Sequence, residues 1–496
     1  MNSVRRKSEQ TFQVLKAELQ RQALALEAQE DRVGRFLAGW EGFFDLRAGA
    51  KQRNEDPDPL GRSIQGNVYA GDAFKIRLGG SLRLHVQRND TPVGESVSSA
   101  LFPDTTVPGG GNSGGRDTLR AFAGRTRFNV AIDGPETLGG RTQGFAEFDF
   151  NRQFTAGEGG AVNNNPRLRH AFGRWRFSDV LVKGDESVVT LGQTTSFADN
   201  VPDMVDYNTL QGGLGAGQRR NPRVEVLHRH PFGRDLTFLS AVGIERPFFG
   251  NDFIGTDLGP GDLSGFPAVS GGLGLEAARI GTGFGVGSST IRVRTTWGEF
   301  EERFTTGTVP LTNFGAQTNF RERDFTNQAV YGTVILDRIG FNRTGRAMTL
   351  RLQGGGLWAR GDALHLNAAF GPRIILDRDG DLTPAQSAGG WINPQLFLTD
   401  TLSVRWAGGI QYLLDDDRPV LSGAPAGGGF PNTAFFRTQN RQSELSLWWT
   451  PGPFTFALAW NHTLTRFKHV NIPPLTGSES RENENNKIEF VSWFSF

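Results

Sequence analysis

Two different spacings of apolar residues divide the chain. Between Phe12 and Phe36 apolar positions recur about every 3.5 residues, which is the spacing of a helix that packs through an a/d seam. From about residue 74 onward apolar and polar residues alternate one by one, which is the spacing of a β-strand. The chain is therefore predicted to have a helical N-terminal segment and an all-β body.

The N-terminal segment also has the composition of a helix, because it is rich in Ala, Glu, Gln, Leu and Arg. A lone helix of this length is marginally stable in water, so we expect it to associate with copies of itself. The alternative is one amphipathic helix that packs on its own domain. The predicted coiled-coil seam consists of Phe12, Leu15, Leu19, Gln22, Leu26, Gln29, Val33 and Phe36.

The alternating part of the chain predicts a series of strands. In the first one Leu82 and Leu84 share one face, whereas Arg83 and His85 share the other. One such strand would also fit a soluble sandwich, but a long series with regular connections favours a membrane barrel. The sixteen predicted strands cover about 74–88, 119–133, 141–153, 166–178, 187–196, 222–230, 235–245, 272–280, 288–301, 324–337, 346–359, 387–398, 402–413, 438–449, 454–466 and 486–496.

The connections between these strands alternate between short turns and long loops, as they do in outer-membrane barrels. An even number of strands places both ends of the barrel on the short-turn side, which is the periplasm. The last strand ends on Phe496, and a terminal aromatic residue resembles the recognition signal of bacterial outer-membrane proteins. The long loops are 89–118, 154–165, 197–221, 246–271, 302–323, 360–386, 414–437 and 467–485.

Composition supports a membrane barrel and excludes several other classes. The 496 residues include 66 Gly and 39 Phe, yet mean hydropathy is −0.38 and no apolar run reaches the ~18–20 residues of a spanning helix. The lack of Cys excludes disulfide scaffolds and thiolate sites, and a net charge of +1 gives no support for nucleic-acid binding. The basic start of the chain is not followed by the apolar run of a secretory signal, so a barrel requires that a signal was removed or left out. The alternative is a cytosolic chain that does not form a membrane barrel.

The predicted fold is therefore an all-β transmembrane barrel of about sixteen antiparallel strands with an N-terminal α-helical coiled coil. Residues 1–44 are predicted to be the periplasmic helix, residues 45–72 a linker broken by an Asp-Pro-Asp-Pro segment, and residues 73–496 the barrel.

Alternation also predicts which side chains line the lumen. Four acids, Asp133, Glu147, Asp149 and Glu444, are expected to point inward, fewer than the arginines. Guanidinium groups stay charged at physiological pH and bind carboxylates in bidentate geometry, so the wall is predicted to favour small anions. The alternative is that lumen charges only keep the channel wet. If Arg167 and Arg169 point inward, strict alternation turns His170 toward lipid. The predicted pore-lining arginines are Arg77, Arg83, Arg125, Arg127, Arg167, Arg169, Arg292, Arg294, Arg351 and Arg405.

Two segments, RLRHAFG at 167–173 and TLGQTTS at 190–196, resemble porins of the DcaP-like family, and LGGSLRL at 78–84 is similar to their first strand. The resemblance covers roughly residues 12–240. It implies homotrimers with a periplasmic coiled coil and sixteen-stranded barrels that pass dicarboxylates and other small anions. Phosphate-selective and carbohydrate porins, which also have helical N-termini, are the alternatives.

The resemblance to sixteen-stranded porins implies that the third long loop folds into the pore, which makes it a candidate constriction. Its acidic residues would face the arginines and set a transverse field. The alternative is a surface loop with solvated charges. The predicted constriction residues are Asp199, Asp203, Asp206, Arg219 and Arg220.

Other motifs do not support a cofactor, metal or catalytic site. Residues 377–381 alternate carboxylates like the start of a calcium loop but lack its later Gly and Glu. His228 and His230 alternate on one strand without an evident third metal ligand. The Gly-rich segment 281–287 lacks the Lys and the helix of a phosphate loop.

The sequence thus predicts a non-enzymatic outer-membrane porin for passive ion transport, in contact with outer-membrane lipids and lipopolysaccharide. The alternative is a structural barrel that spaces or attaches the envelope through its periplasmic coiled coil. An energised transporter or a barrel enzyme is a third possibility, but the chain lacks the length and plug of the former.

Overall fold

The computed structural model describes residues 66–70, 74–90, 118–150, 166–198, 205, 220–233, 235–246, 265–277, 289–303, 322–340, 345–361, 374–376, 382–414, 420–421, 433–471 and 478–496. The predicted coiled-coil seam and the calcium-like segment 377–381 lie outside these residues, so both stay predictions. Among the described residues no helix is long and apolar enough to cross a membrane.

Regular structure in the described residues consists of β-strands. Almost all of them run through one antiparallel sheet. The strands are β1 (Gly66–Ala70), β2 (Lys75–Asn89), β3 (Thr118–Phe122), β4 (Arg127–Thr137), β5 (Gly140–Asp149), β6 (Arg167–Ser178), β7 (Glu186–Thr194), β8 (Asn221–Phe232), β9 (Leu236–Glu245), β10 (Ala268–Ala277), β11 (Ser289–Arg303), β12 (Glu322–Ile339), β13 (Thr349–Arg360), β14 (Ile374–Leu376), β15 (Leu382–Pro384), β16 (Gln386–Phe397), β17 (Leu402–Leu413), β18 (Val420–Leu421), β19 (Thr433–Trp449), β20 (Phe454–Asn471) and β21 (Ser478–Ser495).

The sheet closes into a barrel because its last strand pairs with its first long strand. β21 pairs with β2 from Ser81 opposite Ser495 to Asn89 opposite Lys487. Both β3 and β4 pair with β2 and form one barrel strand that is interrupted at residues 123–126. The barrel therefore has sixteen strands, which confirms the predicted fold class for the β-body.

Two parts of the sheet differ from the sequence prediction. β1 lies inside the predicted linker 45–72 and pairs with the start of β2. These five residues therefore add a short strand to the barrel sheet. β14 pairs with β15 and with β18, and these three short strands form a separate small sheet within two long loops.

The predicted strand positions agree with the structure near the short turns and less well at the long loops. The last strand was expected to start at residue 486, but β21 starts at Ser478. Residues 478–486 are polar on both faces, so they carry no hydrophobic alternation to reveal a strand. Alternation thus marks the part of each strand that has one apolar face, and misses polar extensions.

Burial in this barrel is the reverse of burial in a soluble protein. Leu273 and Leu458 on the outer face are more than half exposed, whereas Arg351 and Glu489 on the inner face are fully buried. Exposed Trp residues also lie on the outer face, and one of them, Trp449, is the last residue of its strand. Since apolar side chains cover the outside, the barrel is suited to an apolar surrounding. The exposed outward Trp residues are Trp297, Trp406, Trp449 and Trp460.

Substitution of an outward residue tests this orientation. Leu273→Arg places a charge on the outer face at the middle of β10, where Leu273 is 57% exposed. We expect a loss of about 2–4 kcal/mol in the free energy of unfolding, because Arg is costly at mid-membrane depth. The measurement is urea-dependent unfolding in lipid vesicles. Leu273→Phe is the matched control with little expected change, and equal stability of both variants would contradict a lipid-facing surface.

Candidate functional site

The ten arginines predicted to line the lumen all lie on the inner face. Their strand neighbours, such as Leu82 beside Arg83 or Val293 beside Arg294, point outward and are exposed. Arg125 lies in the interruption between β3 and β4, yet its side chain is buried and its Nη1 reaches the carbonyl oxygen of Val205 at 3.2 Å. Their position is thus given by the structure, while their role in permeation stays a prediction.

A β-bulge explains how Arg167, Arg169 and His170 can all point inward. Leu168 pairs with Phe148 and His170 pairs with Glu147, so Arg169 is an extra residue on β6. Leu168 is exposed on the outer face, whereas Arg169 and His170 are both buried inside. Strict alternation would have placed His170 toward lipid, because the sequence does not show where a bulge resets the alternation.

Carboxylates on the neighbouring strand hold these arginines. The Arg167 Nη2 atom lies 2.8 Å from Asp149 Oδ2. Arg169 donates to Glu147 Oε1 at 2.6 Å and to Asp149 Oδ2 at 2.7 Å. Charge-assisted bonds of this kind are strong in a low-dielectric setting, so this part of the wall is rigid and nearly neutral.

The same pairing occurs on the wall formed by β8 to β12. Arg294 donates to Glu245 at 2.5 Å and to the Tyr331 hydroxyl at 2.6 Å. Arg223 lies 3.1 Å from the other oxygen of Glu245. Glu245 therefore bridges two guanidinium groups.

A chain of alternating charges links residues on five strands, β6, β7, β8, β10 and β11, and borders a recess in the inner wall. Arg176 pairs with Glu186 at 3.2 Å, and Arg229 lies 3.7 Å from the same carboxylate. Glu276 then links Arg229 at 2.5 Å to Arg292 at 2.8 Å. Four members of this chain were not among the predicted site residues: Arg176, Arg229, Glu186 and Glu276. Each alternates along its strand with residues that point outward, so the sequence pattern marks each of them as inward.

The inner wall has more acids than the four expected from the sequence. Most of the predicted arginines have a carboxylate within 4.0 Å. Basic groups still outnumber acids among the described inner-face residues, but much of their charge is compensated locally. The additional inward acids are Glu186, Glu225, Glu245, Glu276, Asp337 and Glu489.

Two of the predicted arginines stack on tryptophans. The Arg405 guanidinium lies 3.8 Å from the Trp448 ring centre, and that of Arg83 lies 5.2 Å from Trp493. The two indoles pack edge to face at 5.3 Å. Stacking covers the face of a guanidinium and leaves its N–H edge available for hydrogen bonds, for instance to the Gln395 amide beside Arg405.

Arg346, in the turn before β13, adds positive charge beside Arg405 and Arg351. Burial, followed by repulsion from Arg351 and Arg405, lowers the pKa of Arg346 to about 10. One carboxylate, Asp337, lies 3.9 Å from Arg346 and 3.8 Å from Arg351. Three guanidinium groups thus lie together in this arc of the wall, with Asp337 and Asp400 as nearby carboxylates.

The start of the third long loop is attached to the wall formed by β9, β12 and β13. Phe197 and Ala198 are buried in a cluster with Leu239, Tyr331 and Leu357. Arg292 donates to the Phe197 carbonyl oxygen at 2.6 Å. These contacts direct the chain inward as soon as it leaves β7.

Val205, farther along the same loop, is attached to a different part of the wall. It packs in a cluster with Trp448 and Trp493. Its backbone N–H donates to Glu444 Oε1 at 2.8 Å, and its carbonyl oxygen accepts from Arg125 at 3.2 Å. The loop thus contacts two separate arcs of the inner wall, which favours the constriction hypothesis over a surface loop.

The predicted charges of this loop are only partly described. Arg220 is half-buried directly before β8. Asp199, Asp203, Asp206 and Arg219 lie outside the described residues, so their place in a constriction stays a prediction.

Comparison with solved structures gives the same architecture. The chain is similar to the outer membrane channel DcaP of Acinetobacter baumannii, with a TM-score of 0.57 and 16% identity over 87% of this chain and 99% of that chain. Lower similarity is found to OmpT, an outer membrane protein of Vibrio cholerae (TM-score 0.44, 10% identity, 87% and 99% covered), and to Salmonella typhi OmpF in complex with daunomycin (TM-score 0.44, 9% identity, 86% and 99% covered).

No protein-family model and no curated protein matches the sequence. The similarity to DcaP confirms, at the level of the fold, the resemblance that the sequence motifs indicated.

The attachment of Val205 can be tested by proteolysis. Glu444→Ala leaves the buried Val205 N–H without its acceptor, which costs about 1–3 kcal/mol. We expect trypsin to cleave the loop at Arg219 or Arg220 roughly tenfold faster in the folded protein, since 1.4 kcal/mol corresponds to a factor of ten. Glu186→Ala is the control, because Glu186 pairs with Arg176 and not with the loop. Equal cleavage rates in the two variants would argue against the attachment.

Proposed function

We propose that this protein is a porin of the bacterial outer membrane through which small anionic solutes, chiefly carboxylates, diffuse passively. The observation that carries the proposal is the inner wall: a closed barrel of sixteen strands is lined by charged side chains, with basic groups in excess. A barrel of this strand number is wide enough for an aqueous channel. The proposal includes no catalytic step.

The positive arc around Arg405 supports anion preference most directly. Arg346 and Arg351 lie beside it, and their charges repel one another. A carboxylate that passes this arc is attracted by the field of several guanidinium groups, whereas a cation is repelled. The paired arginines elsewhere keep the wall polar and contribute less to the field.

We further propose that the porin is a homotrimer whose N-terminal coiled coil lies in the periplasm. The first barrel strand starts and the last barrel strand ends on the short-turn side, where a coiled coil would join the subunits. Outer-membrane lipids and lipopolysaccharide would contact the apolar outer face. The similarity to DcaP, which is described as an outer membrane channel, supports the outer-membrane location.

A structural barrel is the second candidate. It is favoured by the tight packing inside, since Arg351 and Glu489 have no exposed surface. A barrel that attaches the envelope would not need to conduct, so conductance distinguishes the two functions.

The selectivity is tested by the reversal potential of the purified protein in a planar bilayer under a salt gradient. We expect an anion-selective potential that shifts toward cations in Arg405→Gln. A unit charge about 6 Å from a permeating ion contributes roughly 0.7 kcal/mol in water, with opposite sign for an anion and a cation, so the anion-to-cation permeability ratio should fall about tenfold.

Arg466→Gln is the matched control, because Arg466 pairs with Glu482 on the exposed surface. Its reversal potential should equal that of the unmodified protein. Absence of conductance would contradict the porin and favour the structural barrel, whereas cation selectivity would keep the porin and overturn the anion preference.

A further inference from the structure

Two histidines and an aspartate meet on the outside of the barrel, away from the lumen. His228 and His230 are alternate residues on the same face of β8, and their rings stack with centres 6.2 Å apart. Asp185 belongs to the short turn that joins β6 to β7. One potential ligand atom from each of these three residues lies within 4.8 Å of the others.

The contact between His228 and Asp185 is unlike an ordinary hydrogen bond. The Nε2 atom of His228 lies 3.7 Å from Asp185 Oδ2, which is too long for a good bond. Two ligands that share a tetrahedral zinc ion at about 2.0–2.1 Å are separated by about 3.4 Å. Small rotations of the two imidazoles would bring all three groups to that separation.

The surroundings orient His228 for this role. Ser187 Oγ lies 2.9 Å from His228 Nδ1. In the tautomer in which Nδ1–H donates to this hydroxyl, Nε2 keeps its lone pair for a metal ion. Such a bond to the other ring nitrogen is the usual support of a metal-binding histidine.

Asp185 is held in place and kept ionised by its own turn. Its carboxylate accepts from the backbone N–H groups of Val180, Leu181 and Val182 at 2.7–3.0 Å. An ionised carboxylate in a fixed position is available to a cation at neutral pH.

We propose that Asp185, His228 and His230 form a site for a divalent transition metal ion, with Zn²⁺ as the best fit. Two imidazoles and one carboxylate are the ligands that zinc accepts, and three protein ligands leave one position open. The site joins the β6–β7 turn to the edge of β8 at the short-turn end of the barrel. It goes beyond the proposed porin function, because it lies on the outer face.

The alternative is that Asp185 only caps its turn and touches His228. In that case no metal ion joins the two histidines, and His230 does not contribute to the binding of a cation. The two explanations differ in what happens when His230 alone is removed.

The test is a Co²⁺ titration of the full-length, untagged protein in detergent after treatment with EDTA, followed by visible absorption, with Zn²⁺ as competitor. We expect one Co²⁺ per chain with the absorption of a tetrahedral site, and displacement by Zn²⁺. His228→Ala and His230→Ala should each weaken binding at least tenfold. Ser187→Ala should weaken it by about tenfold, as loss of a supporting hydrogen bond does.

His462→Ala is the matched control, since His462 contacts Glu484 on another part of the surface. It should bind Co²⁺ like the unmodified protein. The site is overturned if no tetrahedral absorption develops, or if His230→Ala binds as tightly as the control. Ion conductance should be the same in all these variants, so failure of the metal site and failure of the porin are distinguishable.

Discussion

The rest of the structure depends on one constraint, which is that every backbone N–H and C=O group within an apolar surrounding must find a partner in the protein. An open sheet would leave two unpaired edges, so the chain joins β21 to β2. The final residue takes part, because Gly80 and Phe496 exchange backbone hydrogen bonds at 3.0 and 3.3 Å. Closure also fixes the register, and a shift by one residue would turn every apolar side chain inward.

Closure has a consequence for the interior. Side chains that cannot face lipid are gathered inside, and their charges are balanced mainly by partners on adjacent strands. For example, Arg169 lies between Glu147 and Asp149. Likewise, Glu245 lies between Arg223 and Arg294. The loop after β7 uses the same groups, because Arg292 and Glu444 bind its backbone as well as belonging to the wall.

Alternation predicted the strands and the inward side of the arginines because one face of each strand is apolar. It could not predict what depends on departures from alternation or on distant parts of the chain. The bulge at Arg169 has no sequence marker, and the polar start of β21 has no apolar face. Asp185 and His228 meet only because β7 pairs with β8, which spacing along the chain does not show.

The pairing inside the barrel changes how selectivity is to be understood. An arginine that is held by a carboxylate acts on a passing ion as a dipole, whose field falls off faster than that of a charge. Counting arginines therefore overestimates the preference for anions, and the local balance of charge decides it. In the described wall one positive arc lies where Arg346, Arg351 and Arg405 are close to the carboxylates of Asp337 and Asp400. An added or removed acid near this arc would then alter selectivity as strongly as an arginine.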